Sequence, residues 1–201
     1  SFTVVSSHLA AELRPLVERW VPVRVPRKPF PLKFLSFFVG AGVALRWLNV
    51  DLIHTVGAIV PNRVDVAAVH HCHAAQRIAT GGLAPRQQPL VRRANTFVSR
   101  AISLLAEQLL FRPSRVGIYT ATSPGLAAEV GAHYPGTPIV VVPNGVQIDE
   151  DIPDLVSRTR VRQELGVNEG QTVALFLGGD WYRKRLDVAI RAITVARAAG
   201  V

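Results

Sequence analysis

The sequence is poor in cysteine, in acidic residues and in long apolar runs, and each scarcity excludes something. Cys72 is the single cysteine among 201 residues. No disulfide framework can form within the chain, and a reducing compartment fits best. The longest apolar stretch, Phe34 to Leu45, holds Gly40 and Gly42 and is closed by Arg46. It falls short of the roughly 20 continuous apolar residues that cross a bilayer as a helix. It reads as a buried helix rather than a membrane contact. The opening residues, Ser1 to Ser6, read as a strand and not as the charged start of a signal peptide, so no export address is evident.

Acidic residues number 14 against 23 Lys and Arg, a net charge of +9. The imbalance is local: residues 1–145 hold 15 basic and 6 acidic residues, whereas residues 146–201 hold 8 of each. An excess confined to one part points to an anionic neighbour such as a membrane surface, an acidic acceptor or nucleic acid. The plainer alternative is a solvated basic surface. Nucleic acid is the least favoured neighbour, because the arginines are dispersed and no reader motif accompanies them.

What is present is a chain about half apolar, enough for a sizeable core. Short β-rich runs at Thr3–Ser6, Val64–His70, Arg115–Thr120, Pro138–Val142 and Thr172–Leu177 are each followed by turn residues or a helical pattern. That alternation predicts an α/β fold with a parallel sheet covered by helices. The clearest helix runs from about Pro89 to Phe111, with Leu90, Val91, Phe97, Val98, Leu104, Leu105 and Leu109 on one apolar arc and Glu107 beside it. Arg112-Pro113 ends it. A second helix is expected after Pro124, with Leu126, Ala127 and Val130 facing inward. Composition then changes: residues 147–154 are acidic and irregular, and Leu155 to Leu165 forms a short charged helix. Beyond lie one buried strand over Thr172–Leu177, a glycine turn and a helix with Leu186, Ala189, Ile190, Ile193 and Ala196 on one face.

Three constellations carry candidate chemistry. Gly178-Gly179-Asp180-Trp181-Tyr182-Arg183-Lys184-Arg185 lies between the expected strand and helix. A glycine pair lets the backbone approach a ligand, and a helix start offers unpaired N–H groups. Arg183 as a fork and Lys184 as a point charge suit a diphosphate. The competing reading is an ordinary strand-to-helix turn with solvated cations. Val69-His70-His71-Cys72-His73 closes a strand. Alternation along an extended chain separates His70 and Cys72 from His71 and His73, which disfavours a zinc site. His70 should stand beyond the carboxyl end of its strand, where parallel sheets place ligands and where an imidazole can exchange a proton with a sugar hydroxyl. It can equally be a histidine satisfied by a backbone carbonyl. Pro143-Asn144-Gly145 is a turn signal and no site in itself.

Taken in order, Val142-Pro143-Asn144-Gly145-Val146, then Arg162-Gln163-Glu164-Leu165-Gly166, then Leu175-Phe176-Leu177-Gly178-Gly179 with Arg183-Lys184 and Asp187, resemble the family 4 retaining glycosyltransferases of GT-B architecture. The strand ending His70-His71-Cys72-His73-Ala74 and the helix with Glu107 are similar to members related to the lipopolysaccharide core glucosyltransferases. The resemblance implies a GT-B fold with a Rossmann-like first lobe lacking its first strand, plus the start of a second Rossmann-like lobe. In residue terms it implies an acceptor-side lobe over 1–146, a link over 147–170, and the opening of a truncated donor-binding lobe over 171–201.

The resemblance also implies the reaction. A sugar passes from a nucleoside-diphosphate sugar to a glycan, lipid-linked or small-molecule acceptor hydroxyl, with retention at the anomeric carbon. His70 is the catalytic position, and Gly178, Gly179, Arg183 and Lys184 contact the donor diphosphate. Neither metal nor cofactor is expected, since the cations replace a divalent ion and Asp149-Glu150-Asp151 lies in the link. The implied location is cytoplasmic, peripheral on the inner face of a membrane. Two departures stand out: Gln147 where aspartate is common, and Arg185 where glycine is common. The competing functions are a basic nucleic-acid-binding module and a non-catalytic relative of the family.

Overall fold

The structure, a computed structural model, describes residues 2–84, 89–145, 155–179 and 181–200, and the side chains of residues 155, 156, 182 and 183 fall outside that description. The chain divides into two compact units, residues 1–145 and 146–201.

The first unit opens with β1 (Thr3–Ser6), a 3-10 helix (Ala11–Leu16) and β2 (Arg19–Pro22), and the two strands pair in parallel as a two-stranded sheet. Helix α1 (Phe30–Trp47) follows and packs on β1. A second sheet holds four parallel strands in sequence order: β3 (His54–Val56), β4 (Val64–Val69), β5 (Val116–Ala121) and β6 (Ile139–Val141). Helices α2 (His73–Ala79) and α3 (Leu90–Leu110) cross from β4 to β5, and α4 (Pro124–His133) crosses from β5 to β6. The parallel α/β architecture is as the periodicity predicts.

Strand β4 has buried residues at Val64, Ala67, Ala68 and Val69, a nearly continuous run expected where both faces of a parallel sheet are covered. Its register against β5 runs from Val64↔Val116 to Val69↔Ala121. Gly117 sits where a Cβ would lie 2.7 Å from the backbone oxygen of Asp65, so only glycine fits between these strands. Behind the sheet, the ring of Phe111 lies 5.0 Å from Tyr119 and 5.3 Å, edge to face, from Tyr134. Ser123 caps α4 by accepting the Leu126 N–H at 3.2 Å, with Pro124 pre-set for the first turn. Val130 is fully buried and Leu126 partly so, as the pattern predicts.

Several expectations are corrected. The helix expected over Phe34 to Leu45 runs from Phe30 to Trp47, and only Ala41 and Gly42 are buried in it. Leu32, Leu35, Val39 and Val43 are exposed, because α1 is apolar all round and its neighbours cover one side only. It is long and apolar enough to span a membrane by length and composition. On α3 the buried residues are Leu104, Ala106, Glu107 and Leu110, while Leu90, Val91, Phe97, Leu105 and Leu109 of the expected arc are exposed. The helix docks through its C-terminal half, and a periodic pattern cannot say which side of a broad apolar arc finds a neighbour.

In the second unit, α5 (Leu155–Glu164), α6 (Trp181–Lys184) and α7 (Leu186–Ala198) form, but residues 172–178 make no strand. Leu175 and Leu177 are 77% and 79% exposed. A strand needs a ladder partner, and no strand lies beside this segment among the described residues of the unit. For the same reason the expected inner face of α7 is open: Ala174 and Phe176 face Leu186, Ile190 and Ile193 across a groove of about 580 Å³.

Candidate functional site

Strand β4 ends at Val69, and His70 is the next residue, exposed at the carboxyl end of a parallel sheet. Val69 is anchored in the core, so the chain emerges there in a fixed direction. The segment then dives back: Cys72 is fully buried, and its thiol is pushed up by burial, so it is a packing residue rather than a ready thiolate. His73 begins α2. The rings of His71 and His73 meet edge to face, 4.8 Å apart, although the strand ends at Val69 and alternation does not extend to them. His71 Nε2–H donates to Gln76 Oε1 at 2.8 Å, fixing its tautomer through a residue one turn along α2.

Beneath this loop lies a carboxylate that sequence reasoning left on the edge of a helix. Glu107 is 3% exposed. It accepts the backbone N–H of His73 at 3.1 and 3.0 Å, the Nδ1–H of the same residue at 2.5 Å, and the hydroxyl of Tyr134 at 3.0 Å. One side chain of α3 thus ties the start of α2 to the end of α4. The backbone N–H it takes belongs to the first turn of α2, one of the donors a helix leaves unpaired. Burial, and then the Glu107 charge, drives the Tyr134 phenol far above its usual range, which keeps it a hydrogen-bond donor. In the sequence Glu107 stands beside the apolar arc of α3, where a solvated glutamate is the usual reading, since such a residue is almost never buried unless paired.

In the second unit the glycine turn is where the sequence places it. A Cβ on Gly178 would lie 3.1 Å from Lys184 Cγ, so the structure brings the lysine stem across the glycine backbone. Lys184 is exposed at the end of α6. Asp180 and the side chain of Arg183 lie outside the described residues. Arg185 is engaged by its own helix: its Nε and Nη2 donate to the two carboxylate oxygens of Asp187 at 3.0 and 3.1 Å. Arg191 adds a bond to Asp187 Oδ2 at 2.6 Å. Arg185 has φ +58°, the left-handed region that favours glycine, which gives a backbone reason for the glycine common there in the resembling family.

Asn144 and Gly145 follow β6 at the end of the first unit, exposed, and the acidic stretch 147–154 of the expected link 147–170 lies outside the described residues. His70 belongs to the first unit, and Gly178, Gly179 and Lys184 to the second. Among the described residues, no three His, Cys, Asp or Glu side chains converge as metal ligands.

A sequence profile of Glycosyltransferase Family 4 matches residues 2–150. The fold is also that of a solved structure described as WaaG, a glycosyltransferase involved in lipopolysaccharide biosynthesis. The TM-score is 0.64 at 18% identity, over 95% of this chain and 58% of that one. No curated protein sequence matches. The architecture is therefore GT-B, with the first lobe as its main part, and this chain spans little more than half the length of the structure it matches. The chain belongs to glycosyltransferase family 4.

Proposed function

We propose that the complete protein moves a sugar from a nucleoside-diphosphate sugar to an acceptor hydroxyl with retention of anomeric configuration. The observation that carries this reading is the placement of His70: exposed, first beyond the carboxyl end of β4, in a segment fixed from below by Glu107. Open parallel sheets bind ligands at that end. Residues 1–146 act as the acceptor-side lobe, 147–170 as the link, and 171–201 as the start of the donor lobe.

In this reading His70 contacts the transferred sugar, where an imidazole can take up or release a proton at a hydroxyl. The backbone at Gly178 and Gly179 and the cations of Arg183 and Lys184 face the diphosphate. Negative charge gathers on the leaving diphosphate, so fixed cations and N–H groups stabilise the transition state more than the ground state. No divalent metal or cofactor is required. The test is the anomeric configuration of the product, read by NMR, from the complete protein and a nucleoside-diphosphate sugar. Retention supports the proposal, and inversion or hydrolysis alone rejects it.

The first lobe is also proposed to meet an anionic membrane from the cytoplasmic side. Pro29, Leu32, Leu35 and Phe38 of the α1 segment and Leu105 and Leu109 of α3 line an apolar groove of about 520 Å³. Exposed Arg27, Lys28 and Lys33 adjoin it in sequence. Exposed apolar side chains beside basic ones suit a headgroup boundary. Binding to vesicles containing phosphatidylglycerol but not to neutral vesicles is expected, and equal binding to both would contradict it.

A further inference from the structure

Three histidines follow β4, and their rings are held differently. His70 is exposed, and the Nε2–H of His71 is taken by Gln76. His73 has one edge of its ring fixed in the core and the other open: Nδ1 lies 2.5 Å from the buried carboxylate of Glu107, while the side chain as a whole stays 27% exposed. A carboxylate only accepts, so the proton sits on Nδ1 and the neutral ring keeps its lone pair on Nε2. Among the described residues, nothing donates to that nitrogen.

Packing alone does not account for a charge at this place. A neutral amide could also accept the His73 backbone N–H or the Tyr134 hydroxyl, and a buried charge is costly to desolvate. What the carboxylate adds is a single tautomer. An amide can either accept from Nδ1 or donate to it, whereas a carboxylate permits only the ring with a bare Nε2. Because Glu107 also holds the backbone N–H of the same residue, the ring is fixed in position as well as in protonation.

We propose that His73 Nε2 accepts the hydrogen bond of the acceptor hydroxyl, with Glu107 as the positioning residue that holds the ring in its accepting tautomer. The inference rests on the transfer reading and adds the acceptor end of the site to it: His70 meets the transferred sugar, and His73, three residues on in the same lobe, meets the nucleophile. The ligand is a neutral hydroxyl, because a lone pair backed by a buried carboxylate repels an anionic oxygen.

The test gives the complete protein a nucleoside-diphosphate sugar with glycerol as the hydroxyl probe, and reads the apparent KM for glycerol, which a smaller folded fraction does not move. His73→Ala should raise it about three- to ten-fold, the loss of one neutral hydrogen bond, with nucleoside-diphosphate affinity unchanged. Glu107→Gln should raise it likewise, because the amide can donate to Nδ1 and turn Nε2 into a donor. Tyr134→Phe removes another bond to Glu107 but leaves the ring bond, and its KM should match the wild type; a merely structural clamp would move both variants alike. If no glycerol product forms, imidazole 15N spectra of the 201-residue chain decide. Glycerol then shifts the His73 Nε2 resonance and not those of exposed His8 and His54, or the proposal fails. An unchanged KM in His73→Ala, equal effects of Tyr134→Phe and Glu107→Gln, or a His73 ring protonated on Nε2 with Nδ1 bare overturns it. Retention in the product with an unchanged KM would strike this inference alone, and an inverted product with the expected KM changes would strike the transfer reading and leave the His73 contact standing.

Discussion

Glu107 accepts both the backbone N–H and the ring Nδ1–H of His73, three residues after His70. The relationship joins a core helix to the exposed end of β4 through a single carboxylate. It makes the direction of the His70 segment depend on a residue that does not touch solvent. Glu107→Ala removes the acceptor from three donors at once, leaving the Tyr134 hydroxyl buried and the two His73 groups part-buried. An unpaired buried donor costs about 1–3 kcal/mol, and the His73 groups regain water, so a loss of about 1–3 kcal/mol is expected in urea unfolding. A loss below about 1 kcal/mol would show that the clamp is not formed in solution.

Gly117→Ala is expected to destabilise the first unit by about 1–3 kcal/mol, because the new methyl meets the Asp65 carbonyl in the adjacent strand and neither backbone can yield cheaply. Thermal unfolding monitored by circular dichroism checks it, with Gly82→Ala, where a Cβ meets nothing, as the control.

Burial pushes the Tyr119 phenol up to about 12 from its usual 10. A folded value above the unfolded one means that the neutral form is favoured in the fold. The contribution is whole below pH 10 and is lost as pH rises through 12. Alkaline unfolding in that window is predicted, and Tyr119→Phe should move its midpoint upward. An unchanged midpoint would mean that Tyr119 does not titrate with the fold.

Asp187 is held down to about 2 from 3.8, first by the hydrogen bond from Arg185. Its depressed value gives the opposite sign: the support it lends the start of α7 is present above pH 4 and lost as pH falls toward 2. Amide exchange of the first turn of α7 should quicken over that range in the wild type, and be quicker already at neutral pH in Asp187→Asn.

Much of the fold was legible because its signals are local. The β4 run Val64–Val69, the Ser123-Pro124 helix start and the stop at Phe111-Arg112-Pro113 each follow from residue chemistry within a few positions. The position of His70 at the carboxyl end of β4 was legible the same way. What escaped depends on neighbours distant in sequence. Strand β3 is three residues long and exists by pairing with β4, and β2 carries Arg19 and Pro22, which disguise it. The run 172–177 has the composition of a strand and no partner to make one. Glu107 could not be separated from a solvated helix residue until His73 and Tyr134, 34 and 27 positions away, were seen to converge on it.

If the cations of the Gly178–Lys184 loop supply the charge a metal would bring, transfer by the complete protein should survive excess chelator. Activity lost with chelator and restored only by a divalent ion would reject that part of the account.

The central claim assigns His70 to the sugar and Lys184 to the diphosphate. Calorimetric titration of nucleoside diphosphate into His70→Ala and Lys184→Ala forms of the complete protein, both shown to be impaired in transfer, tests it most directly. Loss of a charge-assisted contact at Lys184 should weaken binding by about ten- to hundred-fold, while His70→Ala should bind the diphosphate as the wild type does. Equal weakening in both variants, or none in Lys184→Ala, would contradict the assignment.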